Sequence, residues 1–299
     1  MGAVQVGFRR GRVFPRKRDE RGVSGVVAAS LGVVLISVLL GMVVTFWVPA
    51  WGYDSEVSHS RDVVNAFAQF KNALELQTLS GNTNQTVTTS FPLGVGGVPL
   101  FGAETPGQLS HLYLDQGRVR FRANLTDATG DVNFTAAGSL QYVMANRYFV
   151  RQEMAFESGA LLVAQADGET ARLTPPFRFE NGTGGIEAFF TLFTLDGPEV
   201  SVTGVESHTV STRLTLEQTR AYTFPGNGVI ALNVTTGFPG AWADYFGRSM
   251  NASSLNASLF NITRSAPSAA PAAAEWASLS LSGLRSVTVT VALIEVRLD

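Results

Sequence analysis

The 299-residue chain contains no cysteine. This absence excludes thiol catalysis, cysteine-ligated zinc and iron–sulfur clusters. It does not exclude a location outside the cell, because a domain of this size can bury an adequate hydrophobic core without disulfide bonds. An exported location therefore stays open.

Charged residues are also scarce, at 15% of the chain against 45% hydrophobic residues. This composition is too apolar for a disordered chain and fits a membrane anchor with a β-rich body. Residues 1–21 hold seven basic and two acidic residues, whereas the remainder holds 15 basic and 22 acidic residues. A basic tail on an acidic body argues against nucleic acid as a partner.

No catalytic or metal-binding pattern stands out. The histidines are widely spaced, which predicts no metal site; they are His59, His111 and His208. Two acidic pairs with loop-like spacing lack the DxDxDG pattern of calcium loops; they are Asp127/Asp131 and Asp167/Glu169. We find no nucleophile–base signature, and a glycosidase pair of carboxylates forms only in the fold. We therefore expect no cofactor and no enzyme activity, with an anchored hydrolase as the least favoured alternative.

A long uncharged segment follows the basic leader. Val26–Val48 contains 23 apolar or small residues, about 34 Å of helix, which is enough for a hydrocarbon core of about 30 Å. Aromatic residues gather at its far end, as in an interfacial belt. Basic residues crowd only its near end, which predicts a cytoplasmic N-terminus and an extracellular remainder. The alternatives are a buried core helix and a cleaved secretory signal.

The junction between leader and apolar segment reads Arg21-Gly22-Val23-Ser24. With the apolar helix after it, it resembles the class III signal of archaeal type IV pilins and pilin-like proteins. The resemblance implies cleavage by a prepilin peptidase between Gly22 and Val23, with the apolar helix retained as a stem that packs with like subunits. Many pilins have Glu at the fifth residue after the cut, where this chain has Val27, which favours a pilin-like or minor subunit.

A second helix is predicted after Pro49, which should end or kink the first helix. It is expected to begin near Asp54 or Ser55, reach about Gln77 and stop at Gly81. Its apolar residues follow 4-3-4 spacing and form one stripe; they are Val63, Phe67, Phe70 and Leu74. We expect this stripe to cover the β-domain that follows, with a coiled coil to a neighbouring subunit as the alternative.

From Asn84 onward, short runs rich in Val, Thr, Phe and Tyr alternate with turn residues, which predicts strands. The last strand, 287–298, is expected to place Val287, Val289, Val291 and Leu293 on one face. Residues 239–250 are predicted to form a short helix with its aromatic residues inward, and 265–274 an Ala/Pro/Ser loop. A weaker resemblance to archaeal pilin-like ectodomains rests on the stretches around Asn146-Arg147-Tyr148 and Glu157-Ser158-Gly159-Ala160, followed by Pro175-Pro176.

These features predict an α+β chain in which a transmembrane stem helix precedes an antiparallel β-sandwich-like ectodomain. The expected division is a cytoplasmic leader at 1–22, the stem at 23–50, an extracellular amphipathic helix at 51–80 and the ectodomain at 81–299.

N-x-S/T sequons provide a second signal for the exterior. Eight of the 13 asparagines lie in such sequons, where about two would occur by chance. All follow the apolar segment, on the side that the charge rule places outside the cell. They are Asn84, Asn124, Asn133, Asn181, Asn233, Asn251, Asn256 and Asn261. The last three fall five residues apart, which predicts a densely glycosylated face.

Together, the patterns predict a single-pass, pilin-like structural protein of the cell surface with a glycosylated, adhesive head. Its expected partners are membrane lipid, prepilin peptidase and like subunits in a filament. The main alternative is a single-pass surface glycoprotein that never polymerises.

Overall fold

A computed structural model describes residues 20–97, 104–112, 120–127, 130–266 and 275–299. The leader up to Asp19 and residues 267–274 of the predicted loop lie outside these ranges. The chain divides into two compact units, Met1–Val48 and Pro49–Asp299. We refer to the second unit as the head.

The first unit contains helix α1 (Glu20–Met42) and a π-helical segment (Val43–Trp47). The N–H of Val48 donates to the carbonyl of Val43, five residues earlier. Pro49 follows directly, and a π-bulge is one way in which a helix adapts to a proline that lacks an N–H. Pro49 lies in the first turn of the next helix, where proline is tolerated.

Helix α2 (Val48–Ser80) begins before the predicted Asp54 or Ser55. It stops at Gly81, as predicted, where a φ of 63° lets the backbone leave the helix. The N–H of Gly81 donates to the carbonyls of Gln77 and Thr78.

The head is dominated by strands, with one further helix, α3 (Pro239–Ala252), and a 3-10 turn (Ala257–Leu259). The strands are β1 (Thr86–Pro92), β2 (Gly107–Leu112), β3 (Arg120–Asp127), β4 (Gly130–Ala137), β5 (Ser139–Met144), β6 (Gln152–Glu157), β7 (Ala160–Gln165), β8 (Gly168–Leu173), β9 (Phe177–Gly182), β10 (Gly185–Asp196), β11 (Val200–Gly204), β12 (Ser207–Thr235), β13 (Phe260–Arg264) and β14 (Trp276–Leu298).

Two sheets contain these strands. The large sheet has the order β4-β3-β12-β14-β10-β9, with β1 added to β12 and β13 added to β14. The small sheet has the order β11-β2-β5-β6-β7-β8. Within the described residues, β10 and β14 pair in parallel and the other strand pairs are antiparallel. The apolar N-terminal helix and the mostly antiparallel β-domain fit the α+β class.

Helix α2 packs on the strands of the head through the predicted stripe. Val63, Phe67, Phe70 and Leu74 are each 0% exposed, and their cluster includes residues of both sheets. The Phe67 and Phe91 rings meet edge to face at 5.0 Å, as do the Phe70 and Phe156 rings at 5.1 Å. The prediction that the stripe covers the β-domain is therefore confirmed. We call this cluster the α2 core.

A second cluster, the α3 core, lies under helix α3. The prediction of this helix and of its inward aromatic residues is confirmed, since Trp242, Tyr245 and Phe246 are all buried in it. Helix α3 is capped from another element, because the Glu169 carboxylate accepts from the N–H groups of Gly240 and Ala241 at 2.7 and 3.1 Å. Such a contact satisfies two of the unpaired donors at the helix start.

The large sheet contributes to the two cores with opposite faces. Leu192 and Phe193 are consecutive in β10, yet Leu192 belongs to the α3 core and Phe193 to the α2 core. Strand β14 also contributes to both cores, with Val289 in the α3 core and Ala292 in the α2 core. The predicted common face of the last strand is confirmed for Val287, Val289 and Val291, which lie in or against the α3 core, whereas the buried residues from Ala292 onward belong to the α2 core on the opposite face.

Candidate functional site

The proposed cleavage position lies in the first turn of α1, which begins at Glu20. Arg21, Gly22 and Val23 thus have helical backbones. Their processing stays a prediction.

The apolar stem presents its side chains on all sides. Among residues 25–47, all are exposed except Gly32 and Val43, which are half-buried. The hydroxyls of Ser30 and Ser37 donate to the carbonyls of Val27 and Val33 at 2.9 and 2.8 Å. A helix that satisfies its own polar groups suits an apolar environment. This is the helix in the described residues that is long and apolar enough to cross a membrane.

A buried carboxylate connects the start of α2 to a distant loop of the head. Glu56 is 1% exposed and accepts from the backbone N–H groups of Arg147, Tyr148 and Phe149 at 2.9, 2.8 and 2.7 Å. The Thr105 hydroxyl adds a fourth donor at 3.1 Å. We call residues 145–151, which supply the three N–H groups, the clamp loop. Charge-assisted bonds of this kind are about twice as strong as neutral ones, so Glu56 fixes the loop to the helix.

Aromatic contacts close the same junction. The Tyr53 and Phe149 rings meet edge to face at 5.6 Å. A Cβ atom added at Gly52 would lie 2.2 Å from the Tyr148 ring. Only glycine therefore lets the clamp loop approach this turn of α2 so closely.

One turn further along α2, the His59 Nε2 lies 2.7 Å from the Tyr142 hydroxyl, which donates to the Leu93 carbonyl at 2.5 Å. Since the hydroxyl has a single proton, His59 must donate through Nε2. Burial lowers the pKa of His59, and nearby Asp62 and the Leu93 carbonyl only partly offset this. Burial also raises the pKa of Tyr142. The pair is therefore neutral and serves to hold α2 in place.

A groove of about 630 Å³ runs between α2 and the small sheet. Tyr53 and Phe149 form part of its apolar lining, and among the described residues its charged lining consists of Arg61 and Arg172. Both arginines are exposed. Such a groove suits a group that is apolar on one side and anionic on the other.

The histidines do not converge in the structure. His59 is bound to Tyr142, and His111 Nδ1 lies 2.8 Å from the Pro198 carbonyl. Within the described ranges, no three His, Asp or Glu side chains could hold a metal ion together. Of the acidic pairs, Asp127/Asp131 have no described side chains, whereas Glu169 caps helix α3.

The sequon asparagines are distributed over turns, helix ends and strands. Exposed positions are Asn84, Asn133, Asn181, Asn251, Asn256 and Asn261, whereas Asn233 is half-buried and the side chain of Asn124 is not described. Exposure is required of a glycosylation acceptor, and occupancy stays a prediction. The regular spacing of the last three sequons does not place them on one element, because Asn251 lies in the last turn of α3, Asn256 precedes the 3-10 turn and Asn261 lies in β13.

Sequence patterns did not identify Glu56, the clamp loop or the groove. In the sequence, Asn146-Arg147-Tyr148 stands out only as part of a resemblance. A glutamate among helical polar residues gives no sign that its partners lie about ninety residues away.

No protein-family model, no curated protein and no solved structure matches this chain.

Proposed function

We propose that this chain is a pilin-like structural protein of the cell surface, held by its stem in a membrane and able to enter a type IV pilus-like filament as a minor subunit. The observation that supports this most is the exposed apolar surface of residues 25–47. Burying one large aliphatic side chain is worth about 1.5–3 kcal/mol, so a helix of such residues is driven out of water into lipid or against other apolar helices.

The four residues of the α2 stripe belong to the head and not to the stem. The stripe on α2 is already buried inside the head. The apolar surface of the stem is thus separate from the surface that folds the head. A division of this kind suits a subunit whose stem exchanges lipid for neighbouring stems while its head stays unchanged.

The orientation in this proposal follows from the charge distribution and the sequons. The basic leader would remain in the cytoplasm, and the acidic head with its exposed asparagines would face the medium. In a filament, the head would form the outer layer and meet surfaces or other cells.

A second candidate is a surface glycoprotein that keeps its leader and does not polymerise. Val27 favours it, because many pilins have Glu at that position. Both candidates share the anchor and the exported head, and they differ in cleavage and assembly.

The N-terminus of the protein from native membranes separates the two candidates. We expect mass spectrometry to find a mature chain that begins at Val23. An intact leader in the purified membrane protein would refute pilin-type processing.

Two variants at the junction provide matched controls. Gly22→Ala should still mature, because the resemblance implies that the peptidase accepts Gly or Ala there, whereas Gly22→Val should retain the leader. Equal gel mobility of both variants would count against cleavage at this bond. Recovery of the protein in fibres sheared from cells would establish assembly.

A further inference from the structure

Besides the sequon of Asn181, which begins in β9 and runs past its end at Gly182, four of the eight sequons lie entirely inside strands of the large sheet. They are Asn124 in β3, Asn133 in β4, Asn233 in β12 and Asn261 in β13. Each reads Asn–apolar–Thr, and successive strand residues point to opposite faces. The middle residues Phe134 and Val234 are buried in the α3 core. The Asn and Thr of those two sequons therefore lie on the opposite, outer face of the sheet.

The strand register brings these positions together. Asn133 pairs with Asn124, Asn124 with Ala231, Ala231 with Ser280, and Ser280 with Asn261. One row thus crosses five strands and has a sequon position at three of them. Four steps between strands span about 19 Å. Asn233 lies two residues beyond Ala231, on the same face and in the adjacent row.

The outer face around these rows has small residues in β13 and β14, namely Ser278, Ser280, Ser282 and Thr263. In β3, the register places Arg122 opposite Asn233 and Arg120 opposite Thr235. The large aromatic residue of this face in β14 is Trp276, which is 41% exposed. It pairs with Thr235, and is therefore the diagonal cross-strand neighbour of Asn233, at a distance of about 7–8 Å.

We propose that this outer face, the sequon face, is a single carbohydrate-bearing surface, and that the N-linked sugar on Asn233 packs on the Trp276 ring. The C–H groups of a saccharide carry partial positive charge and match the negative face of an indole. The small serine and threonine side chains of β13 and β14 leave room for sugars, and the exposed Trp276 ring can contact one of them.

Attachment requires an activated saccharide on a phosphate carrier. The Nδ2 atom of the asparagine bonds to the anomeric carbon, the bond from that carbon to the carrier oxygen breaks, and the carrier phosphate leaves with the electron pair. The amide nitrogen releases one proton. The proposal rests on the exported head of the proposed function, since the carrier and its transferase must meet the chain outside.

The proposal also limits assembly. Sugars over the sequon face would keep it from packing against another subunit. Neighbouring heads would then have to meet through other surfaces.

An alternating polar–apolar strand rich in Asn and Thr can produce Asn-x-Thr by patterning alone. Glycopeptide mass spectrometry of protein from native membranes distinguishes the two cases. We expect sugar on Asn133, Asn233 and Asn261. Bare asparagines at all three positions would overturn the proposal, even if sugar were found at Asn84 or Asn181. The N-terminal mass of the same sample tests pilin processing separately, so the two proposals can fail independently.

The role of Trp276 is tested at the threonine of the Asn233 sequon. Thr235→Ser keeps the acceptor, and Thr235→Val removes it with a side chain of similar shape. In glycosylated protein, we expect Thr235→Val to lower Tm by about 2–4 °C relative to Thr235→Ser, which is the shift that one aromatic contact would give in a domain of this size.

Two controls complete this test. The Tm cost of Thr235→Val should disappear in a Trp276→Ala background and in full-length protein from a host that lacks N-glycosylation, where any remaining difference should favour valine because of its higher strand propensity. A Tm cost of Thr235→Val that persists in either control would overturn the contact between the sugar and Trp276. Equal Tm values of the two variants in fully glycosylated protein would overturn it as well.

Discussion

The burial of the α2 stripe predicts that the same substitution has a large effect on stability at one position and almost none two residues further along. Leu74 is 0% exposed within the α2 core, whereas Leu76 is 66% exposed on the other side of the helix. Leucine and alanine are both strong helix formers. Leu74→Ala and Leu76→Ala therefore change helix propensity alike and differ mainly in packing.

The expected magnitudes follow from burial. Replacing a buried leucine by alanine removes its transfer free energy and leaves a cavity, at a cost of about 2–5 kcal/mol. A loss of about 3 kcal/mol lowers Tm by roughly 6–12 °C in a domain of this size. Leu76→Ala should stay within about 0.5 kcal/mol of the parent chain, as surface substitutions usually do.

Thermal unfolding of the full chain in detergent, followed by the circular dichroism of the strands, measures both variants. The midpoints should not change on tenfold dilution, because the stripe is buried within one chain. Equal effects of the two substitutions, or a Leu74→Ala effect that grows on dilution, would refute the packing and support a coiled coil between subunits.

Three further predictions concern the start of α2. Gly52→Ala should destabilise the head, because the added Cβ would lie 2.2 Å from the Tyr148 ring. As a control, Gly247→Ala should stabilise α3 by up to about 1 kcal/mol, since the nearest atom to a Cβ added there is 4.0 Å away. Equal urea midpoints for the two variants would contradict this prediction. Glu56→Gln should lower the free energy of unfolding by about 1–3 kcal/mol, because its amide would face backbone donors, and trypsin should cut the clamp loop faster; an unchanged cutting rate would show that the carboxylate does not hold the loop. Because burial lowers the pKa of His59, the folded head binds fewer protons than the unfolded chain, so stability should fall as pH drops below about 6.5. His59→Gln should flatten that decline in Tm between pH 7 and pH 5, and an unaltered slope would exclude His59 as its source.

Features that depend on neighbouring residues could be predicted from the sequence. The uncharged run at 26–48, the spacing of Val63 through Leu74 and the aromatic residues of α3 each define a local pattern. These patterns predict a helix and its buried face, because side-chain direction follows the helical period. The acceptor asparagines could be identified by their motif, but the sequence could not predict which of them lie side by side in the sheet.

The sequence by itself determined where the apolar stem lies, which face of α2 is buried and that the body is made of strands. Only the tertiary structure decided that three N–H groups of a distant loop bind Glu56, that β10 and β14 pair in parallel, and that Leu192 and Phe193 enter different cores. It also decided that Asn124, Asn133 and Asn261 share one row. The physical reason is that strand register joins residues far apart in the chain, and a shift of one residue would turn each side chain to the other face.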